Sequence, residues 1–300
     1  FLRQNNWMTR NLVVAGNFNL TNVDELFDLL VNIGQHPKEV SDTITVIEKI
    51  GHFLDQENNR LFKEYNEKGY NNKEISSLIA KNMDIPSILK NASLDWDGGY
   101  TMAGLIGHGD AFVLRDPNGI RPAFWYEDDE VLVVTSERPV IQTAFNVKWE
   151  NVNELKPGHA LIVKKDFELK EVEINSPSNL QKCSFERIYF SRGTDKDIYK
   201  ERLMLGSLVT PQVLEAVNFD LKRTVFSFIP NTAEMSYYGM IKATEDYLSG
   251  VKKKKIQELE QNDPKYQEKL DDILSIRTRG EKIMVKDAKL RTFITQDDYR

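Results

Sequence analysis

The segment from Cys183 to Arg192 most constrains the fold of this 300-residue chain, because it separates two stretches of different texture. Short β-type runs alternate with turn signals before it, whereas a long amphipathic helix, 198–217, and one strand–loop–helix unit follow it. Its centre, Phe185 to Phe190, places aromatic and β-branched residues side by side, which predicts a buried extended segment. A chain of this length typically holds two domains. We therefore predict a domain boundary beside this segment.

Composition and charge exclude several classes of protein. Hydrophobic residues make up 40% of the chain and charged residues 29%, which is typical of a globular protein with a sizeable core. The net charge of −6 argues against a general nucleic-acid binder. The sequence shows no long apolar run and no secretory signal pattern, so we expect a cytoplasmic protein that does not bind membranes. The chain begins at Phe1 and stops at Arg300 without a tail, which suggests a piece of a longer protein.

Two asparagines near the start occupy a position that suits ligand binding. An apolar strand is predicted over 11–15, and a capping box of Asn22 and Glu25 is predicted to open the next helix. Asn17 and Asn19 are then expected in the turn between them, where an amide side chain or a backbone N–H can face a ligand. Asparagine is also simply a good turn residue, and both interpretations stay open.

Further motifs follow in the first half. Either Ser41 or Asp42 is predicted to cap a second helix. After Trp96 the pattern becomes β-type, with a tight turn at 115–122, Arg-Asp-Pro-Asn-Gly-Ile-Arg-Pro, and a second turn at 154–158, Glu-Leu-Lys-Pro-Gly. An antiparallel sheet with helices fits this order of elements. The four histidines, His36, His52, His108 and His159, lie apart and are predicted to be turn or surface residues.

The second half contains one arrangement that suits an anion. The stretch Thr224 to Ile229 is predicted to form a strand that runs into the loop 230–233, and a helix is predicted from Glu234. Open α/β sheets bind ligands in loops of this kind, because the free N–H groups at a helix start attract an anion. Most such loops bind nothing, so the loop alone does not decide the matter. The first helix of this half contains Pro211, which is predicted to kink it or mark a break.

Taken in order, these motifs resemble the amidophosphoribosyltransferase family. The resemblance implies an α+β and α/β chain with an incomplete class II glutaminase domain, 1–178, of the N-terminal-nucleophile αββα sandwich type. A type I phosphoribosyltransferase α/β domain, also incomplete, is implied over 179–300. The charged stretch 241–282 is expected to be a helical insertion, and it offers a possible assembly surface.

The resemblance also assigns roles in glutamine hydrolysis. In the family an N-terminal cysteine attacks the glutamine amide, with its own α-amino group as the base. An asparagine side chain and the next backbone N–H bind the oxyanion, and these match Asn17 and Phe18. An aspartate that grips the glutamine α-amino group matches Asp42. The family usually has glycine in place of Phe18, and its nucleophilic cysteine and glutamine-carboxylate segment have no match here; Cys183, deep in the chain, cannot replace that nucleophile.

For the second domain the resemblance implies phosphoribosyl diphosphate as substrate and Mg²⁺ as cofactor. Thr232 matches the residue beside the magnesium ion in the diphosphate loop, and Arg291 matches the flexible loop that closes over this substrate. The acidic pair that grips the ribose in the family has no match. Some relatives bind an iron–sulfur cluster through four ligands, but only Cys183 is present here, so a buried thiol without a cluster is expected.

The implied function is the glutamine-dependent synthesis of 5-phosphoribosylamine, the first step of purine synthesis, by a transferase that forms homo-oligomers. Because the chain lacks the nucleophile and the ribose-phosphate loop, these 300 residues alone are expected to be inactive. Two alternatives stay open: another class II amidotransferase, and a catalytically inactive homologue that acts as a partner or regulator. Phe18 is the best support for the second.

Overall fold

The structure, a computed structural model, describes residues 1–35, 37 and 39–285. The chain divides into two compact units, Phe1–Cys183 and Ser184–Arg300. Within the described residues, no helix has both the length and the apolar character that crossing a bilayer requires.

In its described residues, the first unit combines two antiparallel sheets with five α-helices. Its elements are β1 (Leu2–Arg3), β2 (Leu12–Leu20), α1 (Val23–Asn32), α2 (Asp42–Glu67), α3 (Asn72–Asn82), α4 (Ile85–Ser93), β3 (Gly98–Ile106), β4 (Ala111–Arg115), β5 (Phe124–Glu127), β6 (Leu132–Thr135), α5 (Arg138–Phe145), β7 (Asn153–Glu154), β8 (His159–Val163) and β9 (Leu169–Glu173). Six strands form one sheet in the order β1-β2-β3-β4-β8-β9, and three form the other in the order β6-β5-β7.

These elements stack in four layers. Alternate residues of β2 such as Leu12 and Val14 are buried in a cluster with apolar residues of α1 to α4, so those helices cover one face of the larger sheet. On the opposite face, Val113 and Leu161 pack against residues of the smaller sheet, including the partly buried Trp125. Ile141 of α5 then packs on the outer side of the smaller sheet. The order of layers is therefore helices, six-stranded sheet, three-stranded sheet, helix.

Strand β2 is longer than the sequence indicates, and the predicted turn around Asn17 and Asn19 is wrong. Both asparagines lie within β2, opposite Thr101 and Gly99 of β3. The ladder extends this far because β3 begins with two glycines. A Cβ atom on Gly98, whose φ is +133°, would lie 2.2 Å from the backbone oxygen of Asn19. Only glycine permits so close an approach in this conformation.

The predicted capping box at the start of α1 does not form. Asn22 is the N-cap residue, but its side chain makes no capping hydrogen bond. Its amide nitrogen donates to the carbonyl oxygen of Asp95 at 2.8 Å, and its Oδ1 accepts from the backbone N–H of Asp97 at 3.2 Å. The side chain therefore ties the end of β2 to the loop that precedes β3.

The second unit is mainly helical. Its elements are α6 (Lys196–Ala216), β10 (Val225–Phe226), α7 (Glu234–Gln257), α8 (Tyr266–Ser275) and β11 (Arg279–Gly280). The strand predicted over 224–229 is reduced to β10, which pairs in parallel with β11. Helix α7 begins at Glu234 as predicted, and α6 continues through Pro211 without a break.

Two glycines set the crossing of α6 and α7. A Cβ atom on Gly206 would lie 1.8 Å from the backbone oxygen of Ser236, and one on Gly239 would lie 2.0 Å from the backbone oxygen of Leu203. The hydroxyl of Ser207 also donates to the carbonyl oxygen of Gly239 at 3.3 Å. Backbone therefore touches backbone at this crossing, and larger residues do not fit.

The buried extended segment predicted around Phe185 is wrong. Residues Glu186–Phe190 form a single turn of π-helix, and the side chains of Phe185 and Ile188 are 53% and 46% exposed. The buried guanidinium of Arg202 donates to the carbonyl oxygen of Arg187 at 2.9 Å and to that of Ser191 at 2.6 Å. A side chain thus satisfies carbonyl groups that a neighbouring strand would otherwise bind.

Cys183 is half-buried rather than buried, and it takes part in no disulfide. Its backbone N–H donates to the carbonyl oxygen of Ile120 at 3.3 Å, which holds the end of the first unit against the turn at 115–122.

Candidate functional site

The two predicted oxyanion-binding residues are neighbours on β2 but face opposite sides of the sheet. Phe18 packs against the core beneath the helices, as Leu12 and Val14 do. Since side chains alternate along a strand, Asn17 lies on the other face, which is the face turned toward the smaller sheet, and it is exposed. The Asn17 carboxamide and the Phe18 backbone are therefore adjacent, while the Phe18 side chain points away.

A cavity of about 750 Å³ lies between the two sheets on the same face. Its floor includes Val13 and Ala15 of β2 with Ala103 and Leu105 of β3. Asn17 continues the row of Val13 and Ala15, so the floor changes from apolar to polar along β2. Four consecutive acidic residues, 127–130, contribute to the lining from the end of β5 and the loop that follows it.

One buried carboxylate organises the turn at 115–122. Asp116 is fully buried, and its Oδ1 accepts from the backbone N–H groups of Asn118 at 3.0 Å and Ile120 at 2.9 Å. Its Oδ2 accepts from the backbone N–H of Arg121 at 3.0 Å and, more weakly, from that of Tyr100 at 3.3 Å. The carboxylate therefore holds the turn in shape and attaches it to β3.

This turn forms a wall beside the exposed face of β2 and β3. A Cβ atom on Gly99 would lie 2.6 Å from Cγ2 of Ile120, so the turn packs directly over that glycine. Gly99 is paired with Asn19 and lies on the same face of the sheet as Asn17. The turn consequently borders the candidate amide site.

The buried guanidinium of Arg115 connects this turn to the Glu-Leu-Lys-Pro-Gly motif. It forms an ion pair with Glu154, at 3.0 Å between Nη2 and Oε1, and it donates to the carbonyl oxygen of Leu155. Two further bonds reach the carbonyl oxygens of Arg121 at 2.7 Å and Gly119 at 3.2 Å. The structure thus brings together two motifs that are about 40 residues apart, a contact that spacing alone does not indicate.

Asp42 lies at the end of the first unit where β2 finishes, on the side of the larger sheet that the helices cover. Lys49 of α2 forms an ion pair with Asp95 at 3.3 Å, close to the end of β2, whereas Asn58 of α2 donates to the backbone of Thr9 at 3.2 Å, before β2 begins. Helix α2 therefore runs antiparallel to β2, and its first residue, Asp42, lies at the end where β2 finishes.

Asp42 is not the residue that caps helix α2. Ser41 is the N-cap residue, since its side chain accepts from the backbone N–H of Ile44. Asp42 is half-buried, and its Oδ1 accepts from the backbone N–H of Thr43 at 2.7 Å. The carboxylate accordingly keeps acceptor capacity for a ligand ammonium group.

A second ionisable cluster lies at the turn between β3 and β4, away from the Asn17 end. Nε2 of the buried His108 lies 3.0 Å from Oδ2 of Asp110, and Lys164 forms an ion pair with the same oxygen. Burial by itself would raise the pKa of the Asp110 carboxyl, but hydrogen bonds from Lys164, His108 and the backbone N–H of Lys165 hold that pKa below its ordinary value. Asp110 therefore links this turn to the residues that follow β8.

Thr232, the predicted residue beside a magnesium ion, lies in the loop between β10 and α7. Its side chain is half-buried, and the helix begins two residues later. Among the residues that the structure describes, no group of three His, Cys, Asp or Glu side chains could hold a metal ion. One hydroxyl does not bind Mg²⁺ by itself, so Thr232 would need further oxygen ligands to hold this ion. Arg291 and His36 lie outside the described residues.

Curated proteins similar to this chain carry one name. No family profile matches the chain. It is 31% identical to the amidophosphoribosyltransferase of Lachancea kluyveri over 163 residues, which is 51% of this chain and 31% of that protein. It is 29% identical to the amidophosphoribosyltransferase of Archaeoglobus fulgidus, over 66% of this chain and 38% of that protein. The chain is related to the amidophosphoribosyltransferases. It spans about a third of the length of these relatives.

Solved structures agree with this relationship at the level of fold. The glutamine phosphoribosylpyrophosphate amidotransferase of B. subtilis, in complex with ADP and GMP, is 23% identical with a TM-score of 0.56; the match covers 82% of this chain and 46% of that one. An allosteric regulatory enzyme of purine biosynthesis is 24% identical with a TM-score of 0.58, over 82% of this chain and 45% of that one. The α/β fold is therefore shared over most of the chain.

Proposed function

We propose that this chain is part of a glutamine-dependent amidotransferase that makes 5-phosphoribosylamine, the first step of purine synthesis. The reaction consumes glutamine, water and phosphoribosyl diphosphate, and it yields phosphoribosylamine, glutamate and diphosphate. The relatives named amidophosphoribosyltransferase support this proposal. Residues 1–178 are the glutaminase domain in this proposal, and residues 179–300 belong to the phosphoribosyltransferase domain.

The observation that carries the proposal is the placement of Asn17. Its carboxamide lies on an exposed sheet face that continues an intersheet cavity, next to the backbone of Phe18. When a thiolate attacks the glutamine amide carbon, the carbonyl oxygen becomes an oxyanion, and two adjacent N–H donors stabilise it. We assign these donors to Nδ2 of Asn17 and the backbone N–H of Phe18. The sequence of layers in the first unit supports an N-terminal-nucleophile sandwich.

Asp42 completes the glutamine site in this proposal. A free amino acid carries an ammonium group, and a carboxylate at the end of the larger sheet where β2 finishes can bind it. The nucleophile implied by the resemblance is an N-terminal cysteine, which is not among these 300 residues.

The loop before α7 binds the diphosphate of the second substrate in this proposal. It follows a parallel strand and opens a helix, where unpaired N–H groups attract anions. Thr232 would contribute its hydroxyl to Mg²⁺, which neutralises phosphate charge when it is bound. Arg291 is proposed to lie in the closing loop. We further propose a cytoplasmic homo-oligomer.

Substitution of Asn17 tests the glutaminase assignment. In the complete gene product, Asn17→Ala removes one oxyanion donor, and we expect kcat for glutamine hydrolysis to fall about 100-fold or more. Asn19→Ala is the matched control, because Asn19 is exposed on the same strand face two residues further on. An Asn17→Ala enzyme as active as the Asn19→Ala enzyme would contradict the assignment.

The alternative is an inactive homologue, and Phe18 is the observation that favours it. A side chain in place of the family's glycine changes the loop next to the donor, although here that side chain packs into the core. Two measurements distinguish the two proposals. A wild-type protein that releases no glutamate from glutamine, and that does not react with a diazoketone analogue of glutamine, supports the inactive homologue.

A further inference from the structure

A lysine follows the parallel strand pair of the second unit. Strands β10 and β11 are parallel, so their carboxyl ends lie at the same edge. Beyond β11 the chain stays beside β10, because the backbone N–H of Glu281 donates to the carbonyl oxygen of Phe226 at 3.0 Å. Two residues later the backbone N–H of Ile283 donates to Oγ of Ser227 at 3.4 Å. Lys282 lies between these two bonds, next to the residues that lead into the loop before α7.

The side chain of Lys282 projects from the face that helix α7 covers. Successive side chains of an extended segment alternate between the two faces. The ion pair of Arg279 with Glu281, at 3.3 Å between Nε and Oε1, shows that these two share one face. Gly280 belongs to the other face, because a Cβ atom there would meet the hydroxyl of Tyr237 in α7. Lys282, two residues later, is on the same face as Gly280, and it is exposed.

The direction of α7 brings its first residues to the level of Lys282. Tyr237 lies beside Gly280, whereas Glu245, about two turns later, accepts from the backbone N–H of Thr278 at 3.0 Å. Helix α7 therefore runs antiparallel to β11. From Gly280 to Lys282 an extended chain advances about 6.6 Å, and from Tyr237 back to the N-cap residue the helix spans about 6 Å. Lys282 thus lies beside the loop before α7.

Two carboxylates near Lys282 already have partners. Glu281 is paired with Arg279 on the opposite face. Glu234, the first residue of α7, accepts from the hydroxyl of Tyr238 at 3.3 Å. A lysine ammonium group carries three donors and a full positive charge, which suits phosphate oxygens. The loop before α7 offers backbone N–H groups and one hydroxyl, and Lys282 adds a positive charge to this set of donors.

We propose that Lys282 is a substrate-binding residue, whose ammonium group donates to the diphosphate of phosphoribosyl diphosphate in the loop before α7. The inference rests on the proposed function of this loop. Because the diphosphate is charged both before and during the reaction, loss of Lys282 should raise KM for this substrate more than it lowers kcat. The KM for glutamine, which binds to the first unit in the proposed function, should stay unchanged.

Binding of inorganic diphosphate to the complete gene product, measured by calorimetry with Mg²⁺ present, tests the proposal. Lys282→Met removes the charge and keeps an unbranched side chain, so we expect Kd for diphosphate to rise about tenfold or more. Lys282→Arg retains the charge and should restore most of the affinity. Lys253→Met is the matched control, because Lys253 is exposed near the opposite end of α7. If Lys282→Met does not fold, Lys282→Gln takes its place.

The outcomes separate this inference from the proposed function. A wild-type protein that binds no diphosphate would reject both. Equal affinities of wild type and Lys282→Met would overturn the role of Lys282 and leave the loop's function intact. A lower thermal midpoint with unchanged affinity would also overturn it, because Lys282 would then act as a structural partner of Glu234. An equal loss of affinity in Lys253→Met would reduce the effect to general charge and overturn the inference as well.

Discussion

Substitution of Asp116 provides a sharp test of how the wall of the candidate site is built. The Asp116 carboxylate accepts three backbone hydrogen bonds of 2.9–3.0 Å and a fourth of 3.3 Å, and it is fully buried. Asp116→Ala removes every one of these acceptors at once. The N–H groups of the turn at 115–122 then have no protein partner unless the turn changes shape.

The size of the effect follows from these contacts. A hydrogen bond to a charged group contributes about 1.5–3 kcal/mol, but such bonds are not additive when the donors share one acceptor. Asn118 and Ile120 are half-buried, so water can replace part of what is lost. We therefore expect Asp116→Ala to lower the free energy of unfolding by about 4 kcal/mol. For a unit of this size, that corresponds to a fall of roughly 10 °C in the thermal midpoint.

Asp116→Asn is the informative intermediate. Its Oδ1 can still accept from the backbone N–H groups of Asn118 and Ile120. Its NH₂ group would face the N–H groups of Arg121 and Tyr100, and it cannot accept a hydrogen bond from either. We expect about half of the alanine effect. The measurement is thermal unfolding followed by circular dichroism, with Asp128→Asn as control. Asp128 also accepts two backbone N–H groups, from Glu130 and Val131, but it lies in an exposed loop. Equal midpoints for the Asp116 and Asp128 variants would refute this reasoning.

Two further predictions concern other parts of the chain. Gly206→Ala should lower the free energy of unfolding by about 3 kcal/mol, and with it the thermal midpoint, because the new Cβ would meet the backbone of Ser236. Gly250→Ala lies in the same helix pair but has open space around its Cβ, so it should raise the free energy of unfolding by up to about 1 kcal/mol. Similar midpoints for the two variants would contradict the close crossing. Because the folded-state pKa of Asp110 is lowered, its charge stabilises the fold above the unfolded pKa of about 4, and this contribution is lost as pH falls through the folded-state pKa. The midpoints of wild type and Asp110→Asn should therefore differ near pH 7 and converge below about pH 4, and a constant difference would reject this account.

Local signals in the sequence predicted several element boundaries. A local signal of this kind opens α3, where Asn71 and Glu74 form a complete capping box. The start of α7 at Glu234 and the cap of α2 at Ser41 were also predictable. These features depend on residues within four positions of one another, so their physical causes are visible in a short stretch of sequence.

The features that sequence analysis missed depend on distant partners. Strand β2 extends through Asn17 because Gly98 and Gly99, some 80 residues later, allow β3 to lie alongside. The turn around Phe185 is helical because Arg202 satisfies its carbonyl groups. Asn22 binds the loop before β3 instead of capping α1. In each case a long-range contact overrides a local preference.

The motifs predicted the relationship to the amidophosphoribosyltransferases. They also predicted that the side chain of Asn17 is accessible, but they assigned it to a turn. An expected turn became a strand, yet the side chain still faces outward beside a cavity. The strand around Val225 pairs in parallel with β11, and this sheet is only two strands wide in the described residues. The roles of Asn17, Phe18, Asp42 and Thr232 stay predictions until they are measured.

The glycine contact between α6 and α7 has a mechanical consequence. Side chains between two helices can change rotamer and so accommodate small shifts. At Gly206 and Gly239 no side chain lies between the two backbones. A tilt of α7 would therefore press directly on the backbone of α6. Helix α7 starts immediately after the loop that contains Thr232. If an anion bound there shifted the loop, we would expect α6 to move together with α7.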